Sequence, residues 1–144
     1  MSVDAWGSIL GTLHAATGID ANAGHANWIY FDYPDNLSAV INATLSSSAG
    51  NVTVAATGSV SGLITSGGNI SSISAGAGIN ATASAHGSIN ALHPGHGNLA
   101  GSFTAVTGSL PDITCDGSIT AALTAGTTIG NLTASQNIAA TVLA

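Results

Sequence analysis

Side chains able to do acid–base, nucleophilic or metal chemistry are few in this sequence. The 144 residues include six acids, five histidines and one cysteine, but no Lys or Arg. The acids are Asp4, Asp20, Asp32, Asp35, Asp112 and Asp116. Cleavage of a polysaccharide needs an acid and a base that converge on one site. In the repetitive part of the chain only the last two acids lie close together, and we interpret them as solvated turn residues, with an ion site as the alternative. We predict no catalytic residue and no cofactor.

The histidines and the cysteine give no stronger signal. The histidines are His14, His25, His86, His93 and His96. The last two form the densest pair and could share a metal with His86, but no carboxylate is placed to complete a site. We therefore predict surface or turn histidines and no metal site. A single cysteine excludes an internal disulfide and a thiolate metal cage. The repeat register places Cys115 inward, which predicts a buried structural thiol rather than a nucleophile.

The low charge of the chain excludes several classes of partner. Charged residues make up 4% of the sequence, against about 25% in average soluble domains. Without Lys or Arg the chain has no side chain that neutralises nucleic-acid phosphates, and it has no polybasic membrane patch. No apolar run approaches the ~18 residues of a membrane span. We predict no nucleic-acid partner, no membrane span and a surface that packs against something.

A short module recurs along the chain, with a small residue followed by an Ile, Leu or Val anchor. Successive anchors are separated by about ten positions of the sequence. The distance from an anchor to the next apolar residue alternates between four and three, as in Ile119 to Leu123 and Leu110 to Ile113. The long module alternates as one strand does, whereas the short module breaks the alternation and predicts a corner or bulge, as at 70–75. The full repeat is therefore one long and one short module.

This repeat predicts an all-β parallel β-helix, or β-solenoid, with stacked coils of about 19–20 residues. A helical fold is excluded because the 3.6-residue period is missing and Gly and β-branched residues are dense. We expect five to six coils over residues 37–144. Residues 1–36 are predicted to form an N-terminal cap or docking segment with one or two irregular repeats. Ser and Thr would stack in rows on one flat outer face.

Modules such as Gly68-Asn69-Ile70-Ser71-Ser72-Ile73-Ser74-Ala75-Gly76 resemble the repeats of filamentous-haemagglutinin and autotransporter-type bacterial surface proteins. The resemblance covers residues 37–144 and implies a right-handed parallel β-helix. Those proteins are usually long and contain some Lys and Arg, whereas this chain is short and has none. The resemblance implies a fold far more than an activity.

The two ends of the chain depart from the regular repeat. An aromatic stretch holds Trp28, Tyr30, Phe31 and Tyr33. We interpret it as a hydrophobic cap, as a loop that docks on a neighbouring subunit, or as a platform for a small ligand. The chain stops on an inward position of a long strand, so that Ile138, Val142 and Ala144 would border an unpaired edge. Either the chain is a fragment or is capped by its own N-terminal segment, or subunits stack head to tail.

The function predicted from these features is structural. We expect a subunit of a self-assembling extracellular filament, sheath or surface layer, located outside the cell or on its surface, that forms homo-oligomers by head-to-tail pairing of β edges. The assembly residues would be Trp28, Tyr30, Phe31, Tyr33, Ile138, Val142 and Ala144. The alternative is an adhesin-type or ice-binding β-solenoid that uses the flat Ser/Thr face.

Overall fold

The computed structural model describes residues 1–24 and 39–144, and all regular secondary structure in this part of the chain is β. The strands are β1 (Ser2–Ala5), β2 (Ile9–Ala15), β3 (Ile19–Ala23), β4 (Ile41–Ser47), β5 (Val52–Ala56), β6 (Ser59–Ser66), β7 (Ile70–Ala75), β8 (Gly78–Ala85), β9 (Leu92–His93), β10 (Leu99–Ala105), β11 (Ile113–Cys115), β12 (Ala122–Ala125), β13 (Leu132–Ala134) and β14 (Thr141–Leu143).

Even-numbered and odd-numbered strands form opposite walls of a solenoid. The seven even strands make one sheet in the order β14-β12-β10-β8-β6-β4-β2, which we call the wide sheet. The odd strands make a five-stranded sheet, β1-β3-β5-β7-β9, and a two-stranded sheet, β11-β13, which together form the narrow wall. Every strand pair in the described residues is parallel. One odd and one even strand make one coil, so that the predicted β-solenoid is confirmed.

The predicted repeat length is confirmed by the strand register. Along the wide sheet, Ile41 pairs with Val60, Val60 with Ile79, and Ile79 with Leu99. Each of these steps advances by one predicted repeat of the sequence. A parallel ladder with this spacing places each residue beside its counterpart in the next coil. Equivalent side chains therefore form rows along the solenoid axis.

Rows of apolar side chains fill the interior behind the wide sheet, among them the anchor row and the outer core row. The anchor row contains Ile9, Ile41, Val60, Ile79, Leu99, Ile119 and Ile138. The outer core row contains Leu13, Leu45, Ile64, Ala83, Phe103, Leu123 and Val142. Between them lies the small-residue row, with Gly11, Ala43, Gly62, Ala81 and Gly101 in sequence, and Ala121 and Ala140 at the same position in the last two coils. The anchor row and the outer core row face the anchors of the narrow wall and exclude water from the interior. In the small-residue row the alanines Ala43, Ala81 and Ala121 are buried, whereas Gly11 and Gly101 are exposed.

Glycine is required in the small-residue row where two backbones approach closely. Gly62 and Gly101 have φ values of 101° and 98°, a region that L side chains rarely adopt. A Cβ on Gly62 would lie 2.3 Å from the carbonyl oxygen of Ala43, and one on Gly101 would lie 2.1 Å from that of Ala81. The coil before each of these glycines therefore leaves no space for a side chain there.

The short modules contain the predicted irregularity. Between β5 and β7 the register shifts after Val52, which pairs with Ile70, whereas Thr53 pairs with Ser72. Ser71 is thus the extra residue of a bulge, in agreement with the prediction for 70–75. In later coils the anchor forms only an isolated bridge, as Leu110 does with Ile129, and the strand starts three residues after it. The narrow wall turns a corner at this point.

Residues 1–24 extend the same ladder. β2 pairs with β4 over seven positions, from Ile9↔Ile41 to Ala15↔Ser47, and β3 pairs with β5 over five. Residues 2–23 therefore contribute strands to both walls, at the end of the solenoid opposite to β14. The predicted boundary between residues 36 and 37 lies outside the described residues, as do Trp28, Tyr30, Phe31 and Tyr33.

Candidate functional site

The outward surface of the wide sheet, which we call the hydroxyl face, carries two regular rows. The first row is Thr12, Thr44, Leu63, Thr82, Ser102, Ala122 and Thr141, and the second is His14, Ser46, Thr65, Ser84, Thr104, Thr124 and Leu143. Neighbouring strands stand about 4.8 Å apart and the rows about 6.7 Å apart, because residues i and i+2 of a strand share a face. The predicted Ser/Thr rows are thus present, with apolar interruptions such as Leu63, which is 41% exposed.

A second regular feature is a ladder of side-chain oxygens at the corners. At one corner, Asn51 Oδ1 accepts from Asn69 N at 2.9 Å, and Asn69 Oδ1 accepts from Ser88 N at 2.9 Å. At another, Asn98 Oδ1 accepts from Ser118 N at 2.8 Å. All these bonds point the same way: the side chain of one coil accepts from the backbone of the following coil. They satisfy backbone donors that the short strands leave unpaired.

Asp112 belongs to the same kind of ladder. Its Oδ1 accepts from Asn131 N at 2.7 Å. The carboxylate therefore joins two successive coils, a structural role that the sequence interpretation as a solvated turn residue did not include. The sequence did contain a signal, because Asp112 and Asn131 stand one coil length apart.

The two end faces of the solenoid differ from its middle because, among the described strands, each has an edge strand with one unpaired side. The last coil consists of β13 and β14. Its inward residues Ile138 and Val142 are each 51% exposed, although their counterparts Ile119 and Leu123 are buried. Leu143 is 64% exposed, and Ala144 is exposed as well. The structure thus places the predicted residues Ile138 and Val142 in the interior rows, at the open side of the last coil.

The first coil, formed by β1 and β2, also ends in an unpaired edge with partly exposed apolar residues. Ile9 is buried against the second coil, Leu13 is half-buried and Leu10 is 70% exposed. Gly11 has a φ of 110°, close to the values at Gly62 and Gly101, yet a Cβ built on it would meet nothing within 4 Å among the described residues. Gly11 therefore has the backbone conformation of a close-approach glycine, but the described residues contain no preceding coil such as its equivalents have.

Because the described residues 1–24 lie at this opposite end, they do not cover the last coil. One of the sequence alternatives, a cap on the last coil made by the N-terminal segment, is excluded for these residues. The aromatic stretch lies outside the described residues, so its interpretation as a cap, docking loop or ligand platform stays a prediction.

The four histidines in the described residues lie on the surface, with one specific contact. His96 Nδ1 and Asp116 Oδ2 are 2.7 Å apart, and their side chains are 91% and 58% exposed. This exposed pair joins successive coils but is well solvated, so its contribution to stability is small. His93 is exposed, as its register predicted, and pairs across the narrow wall with Ser74. Sequence reasoning missed the His96–Asp116 contact, although the separation of the two residues matches one coil.

Two other polar groups are accounted for by structural contacts. Cys115 is 2% exposed, and its Sγ lies 3.1 Å from the Gly97 carbonyl oxygen, so the prediction of a buried thiol is confirmed. On the outer side of the narrow wall, Asn22 Nδ2 donates to Asp4 Oδ1 at 2.9 Å and to Asp20 Oδ1 at 3.2 Å. The amide thus bridges the two carboxylates and offsets their repulsion.

Metal-ligating clusters, membrane-spanning helices and matches to known proteins are further indicators of function. Over residues 1–24 and 39–144, no three His, Cys, Asp or Glu side chains are grouped closely enough to hold a metal ion. In the same part of the chain there is no helix with the length and apolar character needed to cross a bilayer. No protein-family model, curated protein or solved structure matches the chain. The regular surfaces of the solenoid, namely the hydroxyl face and the two end faces, are therefore the candidate functional sites.

Proposed function

We propose that the chain is a structural subunit that assembles into filaments by stacking the first coil of one copy on the last coil of another. The assembly would serve as an extracellular filament, sheath or surface layer, in line with the resemblance of its modules to bacterial surface β-helix repeats. The observation that carries this proposal is the half-exposed state of Ile138 and Val142, whose rows are buried in the middle of the solenoid. An unpaired parallel edge with apolar inward residues is a template for another strand.

Apolar burial and backbone hydrogen bonding both favour such a contact between copies. Completing the burial of each half-exposed aliphatic side chain contributes on the order of 1 kcal/mol. Each new backbone hydrogen bond across the junction adds about 1 kcal/mol. Charge opposes the contact little, because Asp4 in β1 is the one acid in the four strands of the end coils. Since the contact joins two different faces, it does not close on itself and generates a linear polymer.

The test is the assembly state of the purified chain over a range of concentrations, measured by light scattering and negative-stain electron microscopy. Wild type is expected to form rods. Val142→Lys is expected to remain monomeric, because stacking would bury the ammonium group, whereas in the monomer the side chain reaches solvent. Thr82→Lys is the matched control, since Thr82 lies on the hydroxyl face, and it should still form rods. Wild type that stays monomeric at every concentration contradicts the proposal.

A second candidate function rests on the hydroxyl face. Its flat rows of Ser and Thr, at the spacings of a β-sheet, present a repeating lattice of hydroxyl groups, which favours binding to a regular surface such as ice or a polymeric ligand. The measurement is thermal hysteresis and ice-crystal shaping by wild type. Thr82→Lys should reduce either activity, whereas Val142→Lys, at an end face, should retain it. Absence of both activities in wild type removes the ice-binding form of this candidate.

A further inference from the structure

We infer that the junction between two copies has one register, in which β1 of the second copy pairs with β13 of the first, and β2 with β14. The inference rests on the proposed stacking and specifies its interface. In this register Thr141 of one copy lies beside Thr12 of the next, Val142 beside Leu13, and Ile138 beside Ile9. Gly11 and Asn137 are then the residues that discriminate between this register and others.

The two end coils have the same residue separation between their narrow-wall strand and their wide-sheet strand. The separation between an inward residue of the narrow wall and its counterpart on the wide sheet is ten positions at 73 and 83 and at 113 and 123, and eleven at 92 and 103. The separation of ten holds at positions 132 and 142 in the last coil and at positions 3 and 13 in the first. When β1 is placed on β13, β2 therefore falls on β14 without a change of register. Both walls then continue across the junction.

The small-residue row provides the strongest constraint. In the middle of the solenoid, Gly62 follows Ala43, and Gly101 follows Ala81, and in both cases the Ala carbonyl occupies the space where a Cβ would lie. Gly11 has the same positive φ, and the corresponding space beside it is open among the described residues. In the inferred register Gly11 follows Ala140 of the other copy, which repeats the Ala-to-Gly order. The open space at Gly11 thus has the form that an Ala carbonyl fills elsewhere in the solenoid.

The ladder of side-chain oxygens at the corners, which we call the corner ladder, favours the same register. Asn98 Oδ1 accepts from Ser118 N, and the next residue at this corner is Asn137. Within residues 1–24 and 39–144, Asn137 Oδ1 accepts no hydrogen bond of this kind. The residue that precedes the Ile9 anchor is Ser8, as Asn137 precedes the Ile138 anchor. The backbone N–H of Ser8 in the second copy is therefore the donor that continues this ladder.

Other registers are physically worse. A shift by one residue turns the inward rows of one copy towards the outward rows of the other. A shift by two residues preserves the faces but places Gly11 beside Ile138 or Val142 and moves the small-residue row out of line. The space beside Gly11 would then meet a large side chain, and the close approach at the glycine positions would be lost.

Cysteine cross-linking distinguishes the registers. In a Cys115→Ala background, the pair Thr12→Cys and Thr141→Cys places the two thiols on the outward row, one strand apart. Neighbouring Cα atoms in a sheet are about 4.8 Å apart, within the range for a disulfide. The control pair, Thr12→Cys with Leu143→Cys, places them about 8 Å apart, beyond that range. Oxidised glutathione converts each adjacent thiol pair to a disulfide and is itself reduced to two thiols.

The inferred register predicts covalent dimers, trimers and longer species from the first pair on non-reducing gels, and monomers from the control pair. Both variants are examined by electron microscopy under reducing conditions, where rods should be present. Rods with no cross-linking of the first pair, or with cross-linking of the control pair instead, overturn the register but leave the proposed stacking intact. Absence of rods in wild type overturns the proposed function, and the register with it.

Discussion

The close approach between coils at Gly62 can be measured against Gly11, which has a similar φ but no preceding coil among the described residues. The perturbation is Gly62→Ala compared with Gly11→Ala. In both variants an L-residue occupies a positive-φ conformation, which costs about 1–3 kcal/mol. Only at Gly62 does the new Cβ also fall 2.3 Å from the Ala43 carbonyl oxygen. Because the coils are held by a continuous ladder, the clash cannot be relieved by one side chain alone.

The additional cost at Gly62 has two parts. Displacing the Ala43 carbonyl weakens at least one ladder hydrogen bond, at about 1 kcal/mol. Forcing the new Cβ between two closely spaced backbones adds about 1–3 kcal/mol of overpacking. We therefore expect Gly62→Ala to lower the free energy of unfolding by about 2–4 kcal/mol more than Gly11→Ala. At roughly 2–4 °C per kcal/mol, the extra loss in melting temperature is on the order of 10 °C.

The assay is urea and thermal unfolding followed by far-UV circular dichroism, at protein concentrations where the chain is monomeric, because assembly raises apparent stability. Gly101→Ala is the replicate inside the solenoid, since its Cβ would lie 2.1 Å from the Ala81 carbonyl oxygen. Hydrogen exchange of the first coil separates local fraying in Gly11→Ala from global unfolding. Equal losses in all three variants would refute the reasoning, because φ alone would then explain the glycines.

Three further predictions concern the core, the thiol and the corner ladder. Phe103 is fully buried, so that Phe103→Ala should cost about 3–5 kcal/mol in urea unfolding, and Phe103→Leu, which keeps most of the volume, less than about 1.5 kcal/mol. Cys115 should react with a thiol reagent only when the chain unfolds, and fast labelling of the native protein would contradict its burial. Asn98→Ala removes the acceptor of Ser118 N and should lower stability by about 1 kcal/mol, whereas Asn80→Ala, on an exposed site, should have little effect.

Much of the fold was predictable because the repeat is defined by spacings along the sequence, which can be counted without a structure. The alternation of four and three after each anchor led directly to the inward rows, the bulge at Ser71 and the inward position of Cys115. The corner contacts were not predicted, although Asp112 and Asn131 stand one coil apart. A polar residue at a turn is compatible with solvation or with an interaction along the axis, and only the backbone path at the corner decides between them.

The sequence by itself determined the length of each coil, the residues that point inward and the absence of basic side chains. These properties follow from local periodicity and composition, which need no knowledge of the path between coils. The tertiary structure alone decided that residues 1–24 lie at the end opposite to β14 and that Asn and Asp side chains join coils in one direction. It also decided that the space beside Gly11 is open among the described residues. Such facts depend on how successive turns of the chain are placed against one another, and residues one coil apart come into contact only after the whole coil has closed.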